Sequence, residues 1–272
     1  VVIAMSFKIA IVPFHMWTPD VYTGAPTPVT GFLSAAAKAA GFAVFVRILL
    51  TGIPLRGANW ENVFFILAVL SMTVGNLMAL RQSEVKRMLA FSSIAHAGYV
   101  LVAVVVGSSS AISGVIFYSF AYAMMGTGAF GILTIRDVGR LPQTYDDLAG
   151  YGSRNPLQAL MMTLFMFSLI GLPLTGGFIG KLQIFSAALD DGWVWLTVIG
   201  ILNSALSAYY YLRVVMFMYM REGVFPDGTT FSNKSSGFVL AGVIGTGVVV
   251  LYLGVFPDNI LELASSSIQA LL

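Results

Sequence analysis

Long uncharged apolar runs separated by short polar stretches set the pattern of this chain. A bilayer core of about 30 Å takes roughly 20 apolar residues per helical crossing. Measured by that ruler, the runs predict eight spans. The first ends near Trp17, the second runs from Val29 to Leu50, the third from Val63 to Leu80 and the fourth from Met88 to Val106. The fifth covers Ala111 to Ile135, the sixth Leu157 to Leu189, the seventh Trp193 to Met220 and the last Phe238 to Phe256. The alternation of period two that a β-barrel requires is not seen. The expectation is an all-α integral membrane protein, a polytopic helical bundle.

Two of these runs do not read as plain helices. Leu157 to Leu189 is too long for one crossing at 1.5 Å per residue, and its middle reads Gly171-Leu172-Pro173-Leu174-Thr175-Gly176-Gly177. Proline lacks an N–H and glycine accepts any backbone conformation. Pro173, Gly176 and Gly177 therefore predict a break into two half-helices, the device transporters use at sites near the midplane. The first span is interrupted in the same way by Pro13 and Pro19, and Pro26 and Pro28 precede the second. Two interrupted helices, each with a lysine near its break, suggest an internal repeat. The division expected is 1–51, the end of one repeat; 61–220, a second repeat with its broken helix at 157–189; and 236–272, a last transmembrane helix and tail.

Charge adds an orientation. One set of loops holds Arg81, Lys86, Arg87, Arg136, Arg140, Arg154, Arg221 and Lys234, with Arg213 near its helix end; the other holds Arg47 and Arg56 with Asp190, Asp191, Asp258 and Glu262. By the positive-inside rule the first set faces the cytoplasm and the C-terminus lies outside. Of the 272 residues 58% are apolar and 10% charged, and the net charge of +2 gives no reason to expect nucleic acid. Cysteine is absent, which excludes thiolate-held iron–sulfur clusters, cysteine zinc sites and disulfides. Val1 opens inside an apolar run without an initiating Met, so a preceding segment is expected.

The candidate chemistry lies in the ionisable residues inside the spans. Lys38 has about nine helical residues on either side, roughly 13 Å, more than a lysine spans to reach the headgroups. Its Ala and Gly neighbours imply packing against another helix. Lys181 lies eight residues beyond Pro173; it is read as a proton carrier or as a donor to carbonyls freed by the break. Lys8 precedes Pro13 and is read either as a helix-end anchor or as a third functional lysine. His96, with Ser92, Ser93 and Tyr99 nearby, is a packing residue or a bridge between lysines; Lys86 is an interfacial anchor, with proton uptake as its alternative. His15 is read as structural. A buried lysine is useful because desolvation disfavours its charged form, so a row of them linked by water or histidine makes a relay. No Asp or Glu falls within the predicted spans, which implies a carboxylate partner elsewhere. Gly126-Thr127-Gly128-Ala129-Phe130-Gly131 fits a dinucleotide glycine pattern, but it lies inside an uncharged span and is read as helix packing.

These residues resemble a known family. Lys8 with Pro13-Phe14-His15-Met16-Trp17-Thr18-Pro19-Asp20 and Gly24-Ala25-Pro26-Thr27-Pro28-Val29 looks like the antiporter-like subunits of respiratory complex I, which are similar to the large subunits of multisubunit Na+/H+ antiporters. Ala90 to Tyr99 and Gly171 to Lys181 look most like the subunit N branch of that family. The resemblance implies fourteen helices in two inverted five-helix repeats, with a polar axis at mid-membrane. The first six helices, and an intramembrane Glu expected to pair with Lys8, would then precede Val1. By position, Lys8 matches the first broken-helix lysine, Lys38 the connecting lysine and Lys181 the lysine of the second broken helix. The resemblance also implies a proton-translocating subunit of an NADH–quinone oxidoreductase in a bacterial cytoplasmic (inner) membrane. No cofactor is expected in this chain; NADH, FMN, iron–sulfur clusters and quinone belong to partner subunits. Sister antiporter-like subunits, the lipid bilayer and protons are the expected partners. The alternatives are a Na+/H+ antiporter subunit or a subunit of a ferredoxin- or hydrogenase-linked complex.

Overall fold

A computed structural model describes residues 1–51, 60–136, 143–222 and 236–269. Arg56, Arg140 and Lys234 of the charge argument lie outside the described residues. The described chain is helical throughout except for connecting turns and one isolated bridge between Glu84 and Thr144.

Six helical segments are long and apolar enough to cross a membrane, rather than the eight predicted. The first is Thr27–Leu49, built from α3 (Thr27–Phe32), a π turn (Leu33–Ala37) and α4 (Lys38–Thr51). The others are α5 (Trp60–Leu80), α6 (Val85–Val106), α7 (Ser109–Ile135), α11 (Val194–Met220) and α12 (Ser236–Val255). The two predicted spans missing from this set are the interrupted ones. Each is a pair of shorter helices: α1 (Val2–Ile9) with α2 (Trp17–Gly24), and, after the one-turn α8 (Tyr151–Arg154), α9 (Pro156–Ile170) with α10 (Gly176–Asp190). The first does not end near Trp17, because Trp17 opens α2. The last segment predicted as tail forms α13 (Asp258–Gln269), whose Ala264 and Ile268 are buried while its serines face outward.

The core is built around α6, which is buried along nearly its whole length. Its closest partner is α5, and the approach is made possible by glycine. A Cβ on Gly75 would come within 2.7 Å of the Ala95 amide nitrogen, and one on Gly98 within 2.7 Å of the Met72 nitrogen. Backbones packed this closely gain dispersion contacts without any large side chain, the usual solution where lipid removes the hydrophobic drive. The dinucleotide-like glycines fall inside α7, as expected of packing; Gly128 faces the Phe165 ring of α9.

At one end of the bundle the basic loops meet. The Val85 amide donates to the Gln143 carbonyl, Tyr145 to Ser83, and Gly150 to Phe217. Arg213 lies 4.2 Å from the Tyr145 ring centroid, and Arg87 pairs with Asp20 at 2.8 Å. Burial pushes the Tyr145 phenol up to about 12, against the pull of the Arg213 charge.

Candidate functional site: two buried lysines and a histidine

Lys38 is only 3% exposed. The π turn before it inserts an extra residue, which rotates the rest of the helix by about 100° relative to a continuing α-helix. Its Nζ donates to the Ser93 carbonyl at 2.5 Å and to Ser93 Oγ at 2.9 Å. Snorkelling to the headgroups is therefore excluded for this conformation; the ammonium is held by the central helix.

Lys181 is 5% exposed and sits one turn into α10. Its Nζ donates to the carbonyls of Leu169 (3.0 Å) and Ile170 (2.8 Å) and to Ser204 Oγ (2.8 Å). Those carbonyls are the ones freed where α9 stops. The ammonium thus stands at the negative end of a helix dipole, a placement worth about 1–2 kcal/mol when partly buried. The Tyr99 ring covers it at 4.8 Å.

His96, 3% exposed, is gripped at both nitrogens: Nδ1 faces the Tyr118 hydroxyl at 2.5 Å and Nε2 the Tyr211 hydroxyl at 2.9 Å. Tyr211 in turn shares a short hydrogen bond with Ser92. A hydroxyl donates to a bare ring nitrogen or accepts from a protonated one. Either tautomer, and the doubly protonated ring, is therefore accommodated without turning the imidazole. A cavity of ≈ 10 Å³, about the space of one water, is lined by Lys38, Ser93, His96, Tyr118 and Tyr122.

The remaining candidates are placed differently. Lys8 lies in the last turn of α1, exposed, with its Cγ beside Gly41 of α4. Lys86 is 9% exposed, and its Nζ donates to the Ala25 carbonyl at 2.6 Å, at the C-terminal end of α2. His15 sits half-buried in the turn between α1 and α2. Pro13 and Pro173 both lie in the breaks, and Gly176 and Gly177 open α10. Among the described residues no group of three or more His, Asp or Glu side chains is placed to hold a metal ion.

Several members of the site were not singled out from the sequence: Tyr118, Tyr211, Ser204, and the cluster of Asn76, Asn203 and Tyr210. Asn76 Nδ2 donates to the Asn203 carbonyl (3.0 Å) and, at 3.4 Å, to the Tyr99 hydroxyl, while Tyr210 donates to Asn76 Oδ1 at 2.8 Å. The signal was available, since an Asn inside an apolar span must find a partner across helices.

The sequence profile described as "NADH:quinone oxidoreductase/Mrp antiporter, TM" matches residues 1–207. The chain belongs to this family. NADH-quinone oxidoreductase subunit N of Trichlorobacter lovleyi is 50% identical over 97% of this chain and 54% of its own length. The chain thus spans about half the length of the curated relatives it matches. A chain of respiratory complex I from Thermus thermophilus superposes with a TM-score of 0.81 at 36% identity, over 95% of this chain and 56% of that one. A chain of the Mrp complex from Dietzia sp. DQ12-45-1b gives 0.88 at 22% identity, over 98% and 57%, a likeness of fold alone. Family membership and the apolar spans make this a multi-pass membrane protein.

Proposed function

We propose that this chain is part of a membrane-arm subunit of an NADH–quinone oxidoreductase in the bacterial inner membrane. It moves protons through Lys38, His96 and Lys181, driven by redox chemistry in partner subunits. The observation that carries the reading is that two buried lysines, neither with a carboxylate partner among the described residues, flank a histidine held at both nitrogens by hydroxyls. An ammonium in such surroundings is expensive and is retained for use. The cavity beside Lys38 and His96 gives a proton a place to pass between them.

In this reading the two broken pairs, α1–α2 and α9–α10, belong to two inverted repeats divided at 1–51 and 61–220, with α12 and α13 outside them. Counting each pair as one crossing gives eight spans. The end carrying Arg81, Arg87, Arg136 and Arg213 faces the cytoplasm and the C-terminus faces outward. Lys8 serves the relay through a carboxylate in the part of the relatives that this chain does not span. Lys86 takes up protons at the cytoplasmic end of α6.

Lys38→Met and Lys181→Met in the assembled complex test the relay. Each is expected to abolish proton translocation while leaving assembly intact; full pumping in both variants would refute it. The second reading, a Na+/H+ antiporter subunit, draws on the fold shared with the Mrp chain. It predicts Na+-dependent proton flux without any electron donor, which the oxidoreductase reading does not.

A further inference from the structure

Along α11 the exposed apolar residues Val198, Leu202, Tyr209, Leu212, Met216 and Met220 recur at helical spacing, the face this helix turns to the bilayer. Arg213 borders that face, four residues after Tyr209 and three before Met216, and is half-buried. It stands seven residues, roughly 10 Å, inside the end of the helix. A guanidinium at that depth beside lipid is costly and calls for a counter-charge. Among the described residues Arg213 has none. Its contacts are two rings, Tyr145 at 4.2 Å and Phe217 at 5.7 Å, and it makes no hydrogen bond there. The Tyr145 ring is itself fixed: that residue is 2% exposed, and its amide is tied to the Ser83 carbonyl at 3.3 Å.

A second guanidinium is brought to the same place. Arg221 follows the last residue of α11 and is exposed, free to extend into water. It turns instead to the Phe217 ring, 5.3 Å away. Phe217 lies four residues after Arg213 and four before Arg221, so one side chain runs outward along the helix and the other back inward. Like charges drawn together at a low-dielectric boundary repel. No carboxylate among the described residues offsets them. The ion pair found there joins Arg87 to Asp20, Asp147 is engaged by Thr144, and neither Asp146 nor Glu222 pairs with either arginine. An anion from outside the chain completes the arrangement. The guanidinium fork matches phosphate oxygens two at a time, and the apolar face beside it matches acyl chains. A phospholipid carries both.

We propose that Arg213 and Arg221 form a binding site for the phosphate of an anionic phospholipid, with Tyr145 and Phe217 holding the two guanidiniums and the chains lying on Tyr209, Leu212 and Met216. The site stands apart from the lysines of the relay and does not depend on that reading. The test uses the assembled complex in detergent and two photoactivatable probes, phosphatidylglycerol and phosphatidylcholine with a diazirine near the headgroup. Labelling of the peptide that ends α11 is quantified by mass spectrometry, with labelled peptides elsewhere in the complex as the reference. Phosphatidylglycerol is expected to label this peptide at least fivefold more than phosphatidylcholine. Arg213→Gln is expected to bring that labelling down to the phosphatidylcholine level without changing the reference peptides. Equal labelling by the two probes, or full labelling in Arg213→Gln, overturns the site. Excess inorganic phosphate is expected to leave the labelling unchanged; its loss would assign the arginines to a free anion and overturn the lipid. Arg221→Gln changes an exposed residue beyond the helix and keeps the test open if Arg213→Gln fails to assemble. At least a twofold loss is expected there, and wild-type labelling would overturn the paired site.

Discussion

The two helix breaks solve one problem with different means. Each first half-helix ends on a left-handed residue, Ala10 (φ 61°) and Gly171 (φ 90°), and on an amide reaching back five residues, Ile11 to Ser6 and Leu172 to Phe167. In each an amide beyond the first half-helix is met by a serine hydroxyl: Val12 by Ser71 of α5 at 3.0 Å, and Gly177, in the first turn of α10, by Ser168 of α9 at 3.2 Å. The side-chain donors to the helix ends divide them. At the first break a neutral donor, the Trp17 indole, reaches Phe7 at 2.9 Å, a carbonyl that the Ala10 amide also meets. At the second the donor is the Lys181 ammonium itself. A broken helix inside a membrane must satisfy its loose carbonyls. Doing so with a titratable group ties the integrity of the break to a charge; doing so with an indole does not.

Close backbone packing distinguishes the second break further and gives the largest expected effect. A Cβ on Gly177 would stand 1.9 Å from the Ser168 carbonyl oxygen, and one on Gly254 of α12 2.2 Å from the Leu174 carbonyl carbon. Both neighbours are backbone and have nowhere to go. Gly177→Ala is expected to cost about 3 kcal/mol or more, read as loss of folded protein in thermal unfolding of the detergent-solubilised full-length subunit. Gly24, at the end of α2, has open space around it and serves as the control; Gly24→Ala is expected to change stability by well under 1 kcal/mol. Equal losses in the two would show that Gly177 does not set how closely the two halves of the second break pack.

The serines come next. Ser71→Ala and Ser168→Ala each leave one buried amide without its partner, a loss of about 1–3 kcal/mol. The same thermal assay should return similar values for the two, because the amide side of the breaks is built alike. Trp17→Phe removes the indole donor, but Phe7 keeps the Ala10 amide. The expected cost is about 1 kcal/mol. A much larger loss would mean that the first break depends on its carbonyl donor as heavily as the second.

This contrast was half legible in the sequence. Pro13, Pro173 and the glycines around them announce that a helix stops, since their backbone chemistry is local. Lys38 and Lys181 stand out because an uncharged run makes a charge conspicuous. What a run cannot reveal is who meets whom. Tyr118 and Tyr211 stand 22 and 115 residues from His96, and each is one more aromatic in an aromatic-rich chain. Lys86 shows the same limit: beside Arg87 at a helix start, nothing in the run announces that α2 returns to that end and sets the Ala25 carbonyl against it. The π turn before Lys38 has no composition of its own, since Leu33-Ser34-Ala35-Ala36-Ala37 suits an ordinary α-helix equally well.

The smallest predicted effect probes the left-handed residues themselves. Leu174, in the second break, holds φ at 69° with its side chain largely exposed, so it suffers the Cβ clash of that region with little burial in return. The clash costs about 1–2 kcal/mol, and glycine relieves it at an entropic cost of roughly half that. Leu174→Gly is therefore expected to raise stability by about 0.5 kcal/mol. Ala10 holds nearly the same angle in the first break, but it is wholly buried. Removing its methyl gives up a packed contact worth about 0.8 kcal/mol, so Ala10→Gly is expected to be neutral. Thermal unfolding of the two variants side by side separates the cases. A gain in both would assign the strain to the backbone alone, and a loss at Leu174 would mean that its side chain, with Gly254 pressed against the same peptide, is part of what holds the second break shut.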